Sequence, residues 1–574
     1  MLGALWLGLP PAESVIAQEG VWLEELKQDL QQAARKEKIA GAALVLVDRN
    51  GPVLTLTMGY ADRKAKRPFT QSTRFPFANL THLVTAVATM QLVEDDRVAL
   101  TDPLTEVLPE ARFSSRFEPG AIPKLQQLLS HHSGLPSNVL AGYYQAEPPA
   151  ALAPLPELYL ASPPGQIYGY SNLAYGVLGH VVQQRSGLAF QDYVQQRILT
   201  PLEMNQTGFA PHPDDSRGQD NRRRVEPDVY ASNLAALGLR GSIVDVGRLL
   251  TFFLNERESS VLSLAARKQM GTPQNLDVPL DLDNRSGLGW QLTNTEGFAV
   301  DNVWRVNANT LNFRENIILL PDQGLGLALV ANSANGIDFI VDESRNILDR
   351  WLEESAGIAP PDREQKALPD RIPLPGNALP STMALGYVSP VGLLEFDGKP
   401  ERYKMTMMGR NFRATARDDG WYELAYRLLG VMDIQFSIME EILVRPVQLA
   451  GREALLARYQ GQSFLLGTAL PPEVKTTSGA YLPPSGRYEI VNPDFFSDRL
   501  KLKTVQLEVE NGRLFGEYKL PVFISLKPKI PFVPGPGPNQ FFIPGLGTGL
   551  GERLVFDPKS QEFQFAGYRF AKVR

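Results

Sequence analysis

The sequence predicts an α+β domain followed by one or two all-β modules of the barrel type. For the α+β domain, two observations carry the prediction: strand patterns lie at both ends of a block from about residue 21 to 354, and helical patterns lie between them. A run of short alternating strands after a Pro-rich stretch predicts the all-β part. At 574 residues the chain is too long for one hydrophobic core, so several domains are expected.

The first block opens with GAALVLVDRNGPVLTLTMGYA, which reads as two strands joined at Asn50-Gly51, a dipeptide typical of tight hairpin turns. It ends with FRENIILLPDQGLGLALVANS, again a strand, a turn and a strand. Apolar residues recur at helical spacing between these two hairpins. The predicted helices lie around 80–95, 122–130, 172–186, 190–199 and 243–255. We therefore expect one sheet closed by strands from both ends of the block, with the helices inserted between them.

The composition changes after this block. Residues 355–381 are Pro-rich, polar and without periodicity, which predicts a linker. Beyond it, residues 382–470 and 478–574 each contain enough short strands for a small barrel or sandwich, either as two modules or as halves of one. The stretch PFVPGPGPNQFFIPGLGTGLG predicts an irregular connection at a barrel rim.

The charge and the rare residues exclude several classes of function. A net charge of −6 gives no reason to expect nucleic acid as a partner. The absence of cysteine excludes disulfides, thiolate nucleophiles and Cys-ligated metals. Five histidines are present without an HExxH-type spacing, so we expect no metal site and no other cofactor.

The N-terminus offers a possible signal segment at residues 1–17, with Ala17 as a cleavage position before Gln18. No basic residue precedes Lys27, so either the true start lies upstream or the segment is a weak export signal. Its apolar run is too short to span a bilayer, and no other run of eighteen apolar residues follows. We expect an exported protein, periplasmic or extracellular, without a membrane span.

One segment has the form of a catalytic helix. FPFANLTHLVTAVATMQLVEDDRVALTDPL, residues 75–104, gives an aromatic entry, the four residues Asn79-Leu80-Thr81-His82, an apolar helix and an acidic exit. Further segments follow in this order: LQQLLSHHSGLPS, YGYSNLAYGVLGHVVQQRSG, AALGLRGSIVDVGRLLTFFL, GLGW and VWRVNANTLNF.

This series resembles the β-lactamase-related serine hydrolase family, which includes class C β-lactamases, penicillin-binding DD-peptidases, esterases and D-aminopeptidases. Several separate segments resemble the family's, and they occur in the family's order. The resemblance implies a β-lactamase/transpeptidase-like domain at residues 18–354, an antiparallel sheet with helices.

The same resemblance assigns the site positions and shows that two of three motifs are degenerate. The family uses a serine at the start of a helix, a lysine three residues later and a Tyr-x-Asn element. Asn79 and His82 stand at the serine and lysine positions, while Tyr170 and Asn172 match Tyr-x-Asn. In the third motif Val306 replaces a basic residue or histidine, and Ala308 and Asn312 replace glycines.

Asn79 cannot form an acyl-enzyme, because a carboxamide has no ionisable proton to give up. His82 can act as a base near neutral pH, but it has no hydroxyl to activate. Thr81 lies about 200° from Asn79 around the helix and faces elsewhere. Ser171 and Ser133 occupy positions that, by resemblance, point away from the site or form a turn. No neighbour therefore replaces the nucleophile.

These residues lead to three hypotheses. The first is a catalytically impaired homologue that binds a peptide, glycan or protein in the former active-site cleft, as a binding or scaffold protein. The second is an active hydrolase of esters, peptides or amides with a rewired site, in which His82 activates water directly, Asn79 donates a hydrogen bond to the oxyanion, and Tyr170 is retained. In the third, the β modules are the functional part, as lids or oligomerisation surfaces.

Overall fold

The computed structural model describes residues 12–117, 121–226, 229–362, 384–428, 432–434, 442–459, 461–472, 482–519 and 526–573. The helices are α1 Ala12–Lys36, α2 Leu80–Glu94, α3 Leu104–Val107, α4 Leu125–Leu129, α5 Asn172–Ser186, α6 Phe190–Val194, α7 Leu234–Leu237, α8 Ile243–Leu254, α9 Leu264–Met270, α10 Ile337–Ala356 and α11 Phe495–Leu500. A π-helical turn, Gln195–Leu199, continues α6, and Pro279–Asp281 form a 3₁₀ turn.

The strands of the first domain are β1 Gly41–Asp48, β2 Pro52–Asp62, β3 Arg67–Pro68, β4 Arg74–Pro76, β5 Phe113–Ser114, β6 Tyr144–Gln145, β7 Leu158–Tyr159, β8 Tyr230–Ala231, β9 Arg240–Ser242, β10 Trp304–Asn309, β11 Arg314–Leu320 and β12 Leu325–Ala331. Those of the C-terminal part are β13 Gly386–Ser389, β14 Gly392–Lys399, β15 Arg402–Met407, β16 Arg410–Ala416, β17 Tyr422–Leu428, β18 Met432–Ile434, β19 Leu443–Leu449, β20 Arg452–Tyr459, β21 Gln462–Ala469, β22 Gly486–Ile490, β23 Thr504–Glu510, β24 Arg513–Tyr518, β25 Lys529–Pro534, β26 Gln540–Phe542, β27 Arg553–Asp557, β28 Glu562–Phe565 and β29 Tyr568–Lys572.

The main sheet of the first domain joins both ends of the block, as predicted. Its strand order is β10-β11-β12-β1-β2-β3, and all of its neighbours are antiparallel. The first hairpin turns at Asn50-Gly51, where the Asp48 carboxylate accepts both backbone N–H groups. Strand β1 is buried on both faces: Val45 lies in the core that contains α2, α5 and α8, and Leu44 in the core that contains α1 and α10. The domain is therefore a three-layer α+β sandwich, and its predicted fold class is confirmed.

The C-terminal part forms two closed eight-stranded barrels, which answers the question that the sequence left open. Strands β13–β17 and β19–β21 form the first ring, which the β16–β17 pairing closes, and β18 is added to β17. Strands β22–β29 form the second ring, closed between β22 and β29. The predicted linker lies largely on residues 363–383, outside the described residues, so the exact domain limits stay predictions.

The N-terminal helix α1 contains the cleavage position predicted before Gln18. Its side chains Trp22, Leu26 and Leu30 lie in the same core as α10 and one face of the main sheet. Residues 1–11 lie outside the described residues. Among the helices that the structure describes, none combines the length and the apolar character needed to cross a bilayer.

The predicted irregular Pro/Gly connection is only partly irregular, because β26 and most of β25 fall within it. Its last part belongs to residues 543–552, here called the docking loop, which contacts the first domain. The Tyr170 backbone N–H donates to Thr548 Oγ1 at 2.9 Å, and the Gly549 N–H donates to Ser137 Oγ at 3.0 Å. The second barrel is thus fixed beside the predicted Tyr-x-Asn element.

Glu552 anchors the end of the docking loop. Its carboxylate accepts the Ser137 backbone N–H at 3.1 Å and the Tyr159 hydroxyl at 2.9 Å. Burial raises the pKa of Glu552 to about 7, although both hydrogen bonds act in the opposite direction. A loop from the far end of the chain therefore places a buried carboxyl group against the first domain.

The docking loop offers a matched pair of glycine substitutions. Gly551 and Gly549 have φ values of +73° and +75°, so alanine suffers a similar backbone strain at either position. A Cβ on Gly551 would stand 1.8 Å from the Ala161 carbonyl oxygen, whereas one on Gly549 would meet nothing within 4 Å. We expect Gly551→Ala, and not Gly549→Ala, to accelerate hydrogen exchange at the Ser137 and Tyr170 amides, because these two N–H groups donate to the loop. Equal exchange rates in both variants would contradict this docking geometry.

Candidate functional site

Helix α2 begins at the predicted nucleophile position. Every residue from Leu80 to Leu92 is buried, so the helix runs through the centre of the domain. The preceding residue, Ala78, has a φ of +42°, a left-handed conformation that typically costs about 1–3 kcal/mol for a residue with a side chain. This turn presents the half-buried Asn79, whose Nδ2 donates to the Asn307 carbonyl oxygen on β10 at 3.0 Å. The amide thus ties the start of α2 to the edge strand of the sheet.

His82 follows one turn later and is buried. Its ring stacks on Tyr175 at a centroid distance of 3.8 Å, and its Nε2 lies 3.0 Å from Asn172 Oδ1. Since an amide oxygen only accepts, Nε2 carries the proton and donates it. Burial lowers the pKa of His82 to about 3, against a smaller opposing effect of the Asn172 hydrogen bond. The imidazole is therefore neutral near pH 7, and its protonated nitrogen points at Asn172.

Asn172 connects the residues of this site. It opens α5, which the Ser171 side chain caps by accepting the Ala174 N–H. Its Oδ1 also accepts the Tyr170 hydroxyl at 2.8 Å. Its Nδ2 donates to two groups, each at 2.9 Å: Asn138 Oδ1 and the Tyr143 hydroxyl oxygen.

The neighbouring His131 is buried and held in a tight turn, with a φ of +61°. Its Nδ1 accepts the Ser171 backbone N–H at 3.2 Å, and its ring lies 4.7 Å from that of Tyr170. Burial, and then the neighbouring His82 and His132, lower the pKa of His131 well below 6.5. Both imidazoles of the site are therefore uncharged, so neither supplies the cation that the family's lysine would.

Of the third predicted motif, Val306 and Ala308 lie on β10, and Asn312 is buried in the turn between β10 and β11. Val306 and Ala308 are buried on the face that packs toward α2. Opposite Ala308 on β11 lies Glu315, a buried carboxyl group whose two oxygens have no hydrogen-bond partner among the described residues. Burial raises the pKa of Glu315 well above 4.5, which favours the protonated form of this carboxyl. The structure thus brings Asn79 to β10 through the backbone of Asn307 rather than through Val306 or Ala308.

The hydroxyl groups of Thr81, Ser171 and Ser133 each form a hydrogen bond with backbone. Thr81 Oγ1 accepts the Leu239 N–H at 3.3 Å. Ser171 Oγ donates to the Pro136 carbonyl oxygen at 2.6 Å, and Ser133 Oγ accepts the Leu135 N–H at 3.2 Å. Each hydroxyl stabilises local backbone.

Two cavities adjoin this network. One, of about 350 Å³, is lined by Asn138 and Tyr143 together with α5 residues such as Leu173 and Val177. The other, of about 280 Å³, is lined by Ser137, Asn138 and the second barrel. Asn138 therefore borders both cavities and also bonds to Asn172.

The structure joins His82 and Tyr170 through Asn172, and Asn79 lies one helical turn before His82 and bonds to Asn307. The other hydrogen-bond partners of these residues carry no signal in the sequence. Asn138 and Tyr143 lie in an irregular segment without a motif, and the docking loop is more than 370 residues from Tyr170. For Tyr175 the only signal in the sequence is its position three residues after Asn172, on the same face of the predicted helix. Among the described residues, no cluster of three or more potential metal ligands is present.

The buried His82 gives a pH prediction. The imidazole of the unfolded chain binds a proton near pH 6.5, and that of the folded protein only near 3. Between these values the unfolded state holds more protons, so stability falls on acidification by up to about 1.4 kcal/mol per pH unit from this group. We expect ¹⁵N-resolved imidazole signals of His82 to stay in the neutral, Nε2-protonated form from pH 8 to 5, with His82→Asn identifying the signals. An imidazolium spectrum at pH 6 would rule this out.

The hydrogen bonds of Asn172 predict how far two substitutions, each close in size to the natural side chain, lower the stability of the protein. Tyr170→Phe removes one hydrogen bond and is expected to cost about 1 kcal/mol. Asn172→Leu deprives the buried N–H of His82 and the hydroxyls of Tyr170 and Tyr143 of their common partner, at about 1–3 kcal/mol for each group left unsatisfied. In thermal unfolding, Asn172→Leu should lower the midpoint at least twice as far as Tyr170→Phe. Equal shifts would mean that Asn172 does not connect these groups.

Known proteins resemble this chain over most of its first domain. Protein flp of Staphylococcus aureus (strain MRSA252) is 23% identical over 320 residues, which is 54% of this chain and 61% of that protein. The β-lactamase of Escherichia coli (strain K12) is 25% identical over 299 residues, 50% of this chain and 72% of that protein. The chain thus spans less than two thirds of the length of the flp protein.

Solved structures resemble the chain beyond the first domain. The crystal structure of SurE superposes with a TM-score of 0.56 at 23% identity, covering 78% of this chain and 99% of that one. The octameric penicillin-binding protein homologue from Pyrococcus abyssi gives 0.51 at 19% identity, covering 77% and 99%. At these identities the likeness concerns the fold.

The family model described as Beta-lactamase matches residues 26–350, more than half of the chain. Its span includes Asn79, His82, Tyr170, Asn172, Val306 and Ala308. The chain therefore belongs to the β-lactamase family.

Proposed function

We propose that this protein is a catalytically impaired member of its family that binds a peptide, glycan or protein beside the former active site. Its place of action would be outside the cytoplasm, in the periplasm or beyond, as the possible signal segment at residues 1–17 predicts. The observation that carries the proposal is the state of the two first-motif residues, Asn79 and His82.

The first support comes from Asn79. Loss of a serine nucleophile typically lowers turnover on the order of 10⁶-fold. The Asn79 side chain is moreover bonded to the Asn307 carbonyl oxygen, an interaction that fixes the amide as a link between α2 and β10. The nearby hydroxyls of Thr81, Ser171 and Ser133 are all used in backbone hydrogen bonds, which argues against a substitute nucleophile.

The second support comes from His82 and bears on the competing hydrolase. Activation of water would need an imidazole nitrogen that faces the water and takes up a proton near neutral pH. The Nε2 of His82 instead donates to Asn172, and its pKa of about 3 makes the ring a weak base. Both features favour a positioning role for His82 within the buried network.

The retained residue Asn172 and the cavity beside it support a binding role. Asn172, Tyr143 and Asn138 form a hydrogen-bonded row that ends at the cavity of about 350 Å³, which lies within the usual size range of ligand sites. Its lining combines apolar side chains of α5 with amide and hydroxyl groups, a combination suited to peptide or sugar groups.

The test is covalent labelling followed by intact mass. Purified protein is incubated with a fluorescent penicillin and with a fluorophosphonate, in parallel with the double variant Asn79→Ser/His82→Lys. We expect no adduct on the natural chain and a stoichiometric adduct on the double variant, because restoring Ser and Lys restores the family's nucleophile.

A stoichiometric adduct on the natural chain would overturn the proposal, and peptide mapping would then identify the nucleophile. Catalysis without an adduct is covered by a second assay, hydrolysis of p-nitrophenyl esters by the natural chain and by His82→Ala. Turnover lost in His82→Ala would support the water-activating enzyme instead.

A further inference from the structure

The interior of the second barrel contains a cavity of about 280 Å³ that the proposed function does not use. Alternate residues of β23, β24, β25 and β28 line it, as expected for side chains that point into a closed barrel. These residues are Val505, Leu507, Gly516, Tyr518, Ile530, Phe532, Phe563 and Phe565. The cavity is thus the lumen of the barrel.

The shape of the lumen depends on a glycine. A Cβ on Gly516 would point at Phe532 at 3.2 Å and at Leu507 at 3.6 Å, two side chains that line the same space. Gly516 is buried and lies outside the set of residues with positive φ, so its backbone does not require glycine. The missing side chain leaves room where the neighbouring strand positions would otherwise fill the barrel.

The lumen has polar lining residues where it borders the first domain. Ser137 and Asn138 lie there, together with Glu552 of the docking loop. Asn138 Oδ1 already accepts from Asn172, whereas its Nδ2 has no partner among the described residues and is free to donate. A ligand oxygen at this end would therefore meet an amide donor.

The lining also decides the charge of the ligand. None of the described residues around the cavity is a lysine or arginine, and Glu552 places a carboxyl group at the polar end. An anionic head group would lose its hydration without gaining a cation and would face Glu552. A neutral oxygen group, such as a hydroxyl or a primary amide, avoids both costs.

The volume of the lumen limits the size of the ligand. A dry apolar cavity of about 150 Å³ holds benzene, with six carbon atoms, so by proportion the lumen accommodates about eleven non-hydrogen atoms. We propose that the second barrel binds a small neutral amphiphile, an aliphatic chain of about ten carbons whose oxygen head group lies at Asn138. This site is separate from the cleft at Asn79 and His82 and does not depend on whether that cleft is catalytic.

The probe is decan-1-ol, titrated into the full-length protein and followed by calorimetry at pH 8, above the pKa of Glu552 of about 7. We expect one molecule to bind per chain. Sodium decanoate should bind at least tenfold more weakly, because its carboxylate has to be desolvated opposite Glu552. The absence of decan-1-ol binding would overturn the proposal, and equal affinity for decanoate would overturn its head-group assignment.

Two variants test whether the ligand binds in the lumen of the second barrel. Gly516→Leu should fill the lumen and weaken binding at least tenfold. Glu517→Leu, at the next residue of β24 and on the outer face, should leave binding unchanged. Thermal unfolding reports whether the barrel is retained. If Gly516→Leu unfolds early, Val505→Phe, at a half-buried position of the lining, replaces it with the same expected loss. Wild-type affinity in a lumen-filling variant that still folds would show that the ligand binds elsewhere, for example in the cavity beside α5, and would refute the proposal.

Discussion

The amide group of Asn172 is the contact on which the interior of the site depends. Its oxygen accepts from His82 and Tyr170, and its nitrogen donates to Asn138 and Tyr143. A buried polar group without a partner costs more than its hydrogen bond contributes, so each of these groups requires Asn172 in place. The tautomer of His82 follows from this one amide, which also ties the segment before α5 to the helix through Asn138 and Tyr143.

Burial explains why no charge is present on His82, at the position where the family has a lysine. A lysine beside a serine works because its amine can exchange a proton near neutral pH. Here the positions are occupied by an amide and by an imidazole that burial keeps neutral, stacked on Tyr175. His131 is neutral for the same reason. The interactions of the site are thus dipolar, which suits a stable, well-packed interior and disfavours proton transfer.

The predictable parts of the fold are those that depend on short sequence patterns or on a known order of segments along the chain. The Asn50-Gly51 hairpin, the helix after Asn79 and the sheet closed from both ends are properties of short segments. Helix 122–130 was predicted too long, because only Leu125–Leu129 close helical hydrogen bonds. The partners of Asn172 were not predictable, because Asn138 and Tyr143 lie in irregular chain whose path is set by tertiary contacts. The closure of two separate barrels was not predictable either. It depends on the pairings β16–β17 and β22–β29, and the strand sequences do not specify which strand pairs with which.

The docking loop also sets an order of events during synthesis. The first domain is complete once α10 ends at Ala356, but Thr548 and Glu552, which bond to Tyr170, Ser137 and Tyr159, are added almost two hundred residues later. At ~5–20 residues per second this interval lasts about 10–40 s. Throughout it the N–H groups of Ser137 and Tyr170 have water as their partner instead of the barrel. The nascent protein therefore presents this side of the cleft uncovered, and the docking loop that covers it is translated almost two hundred residues after the first domain.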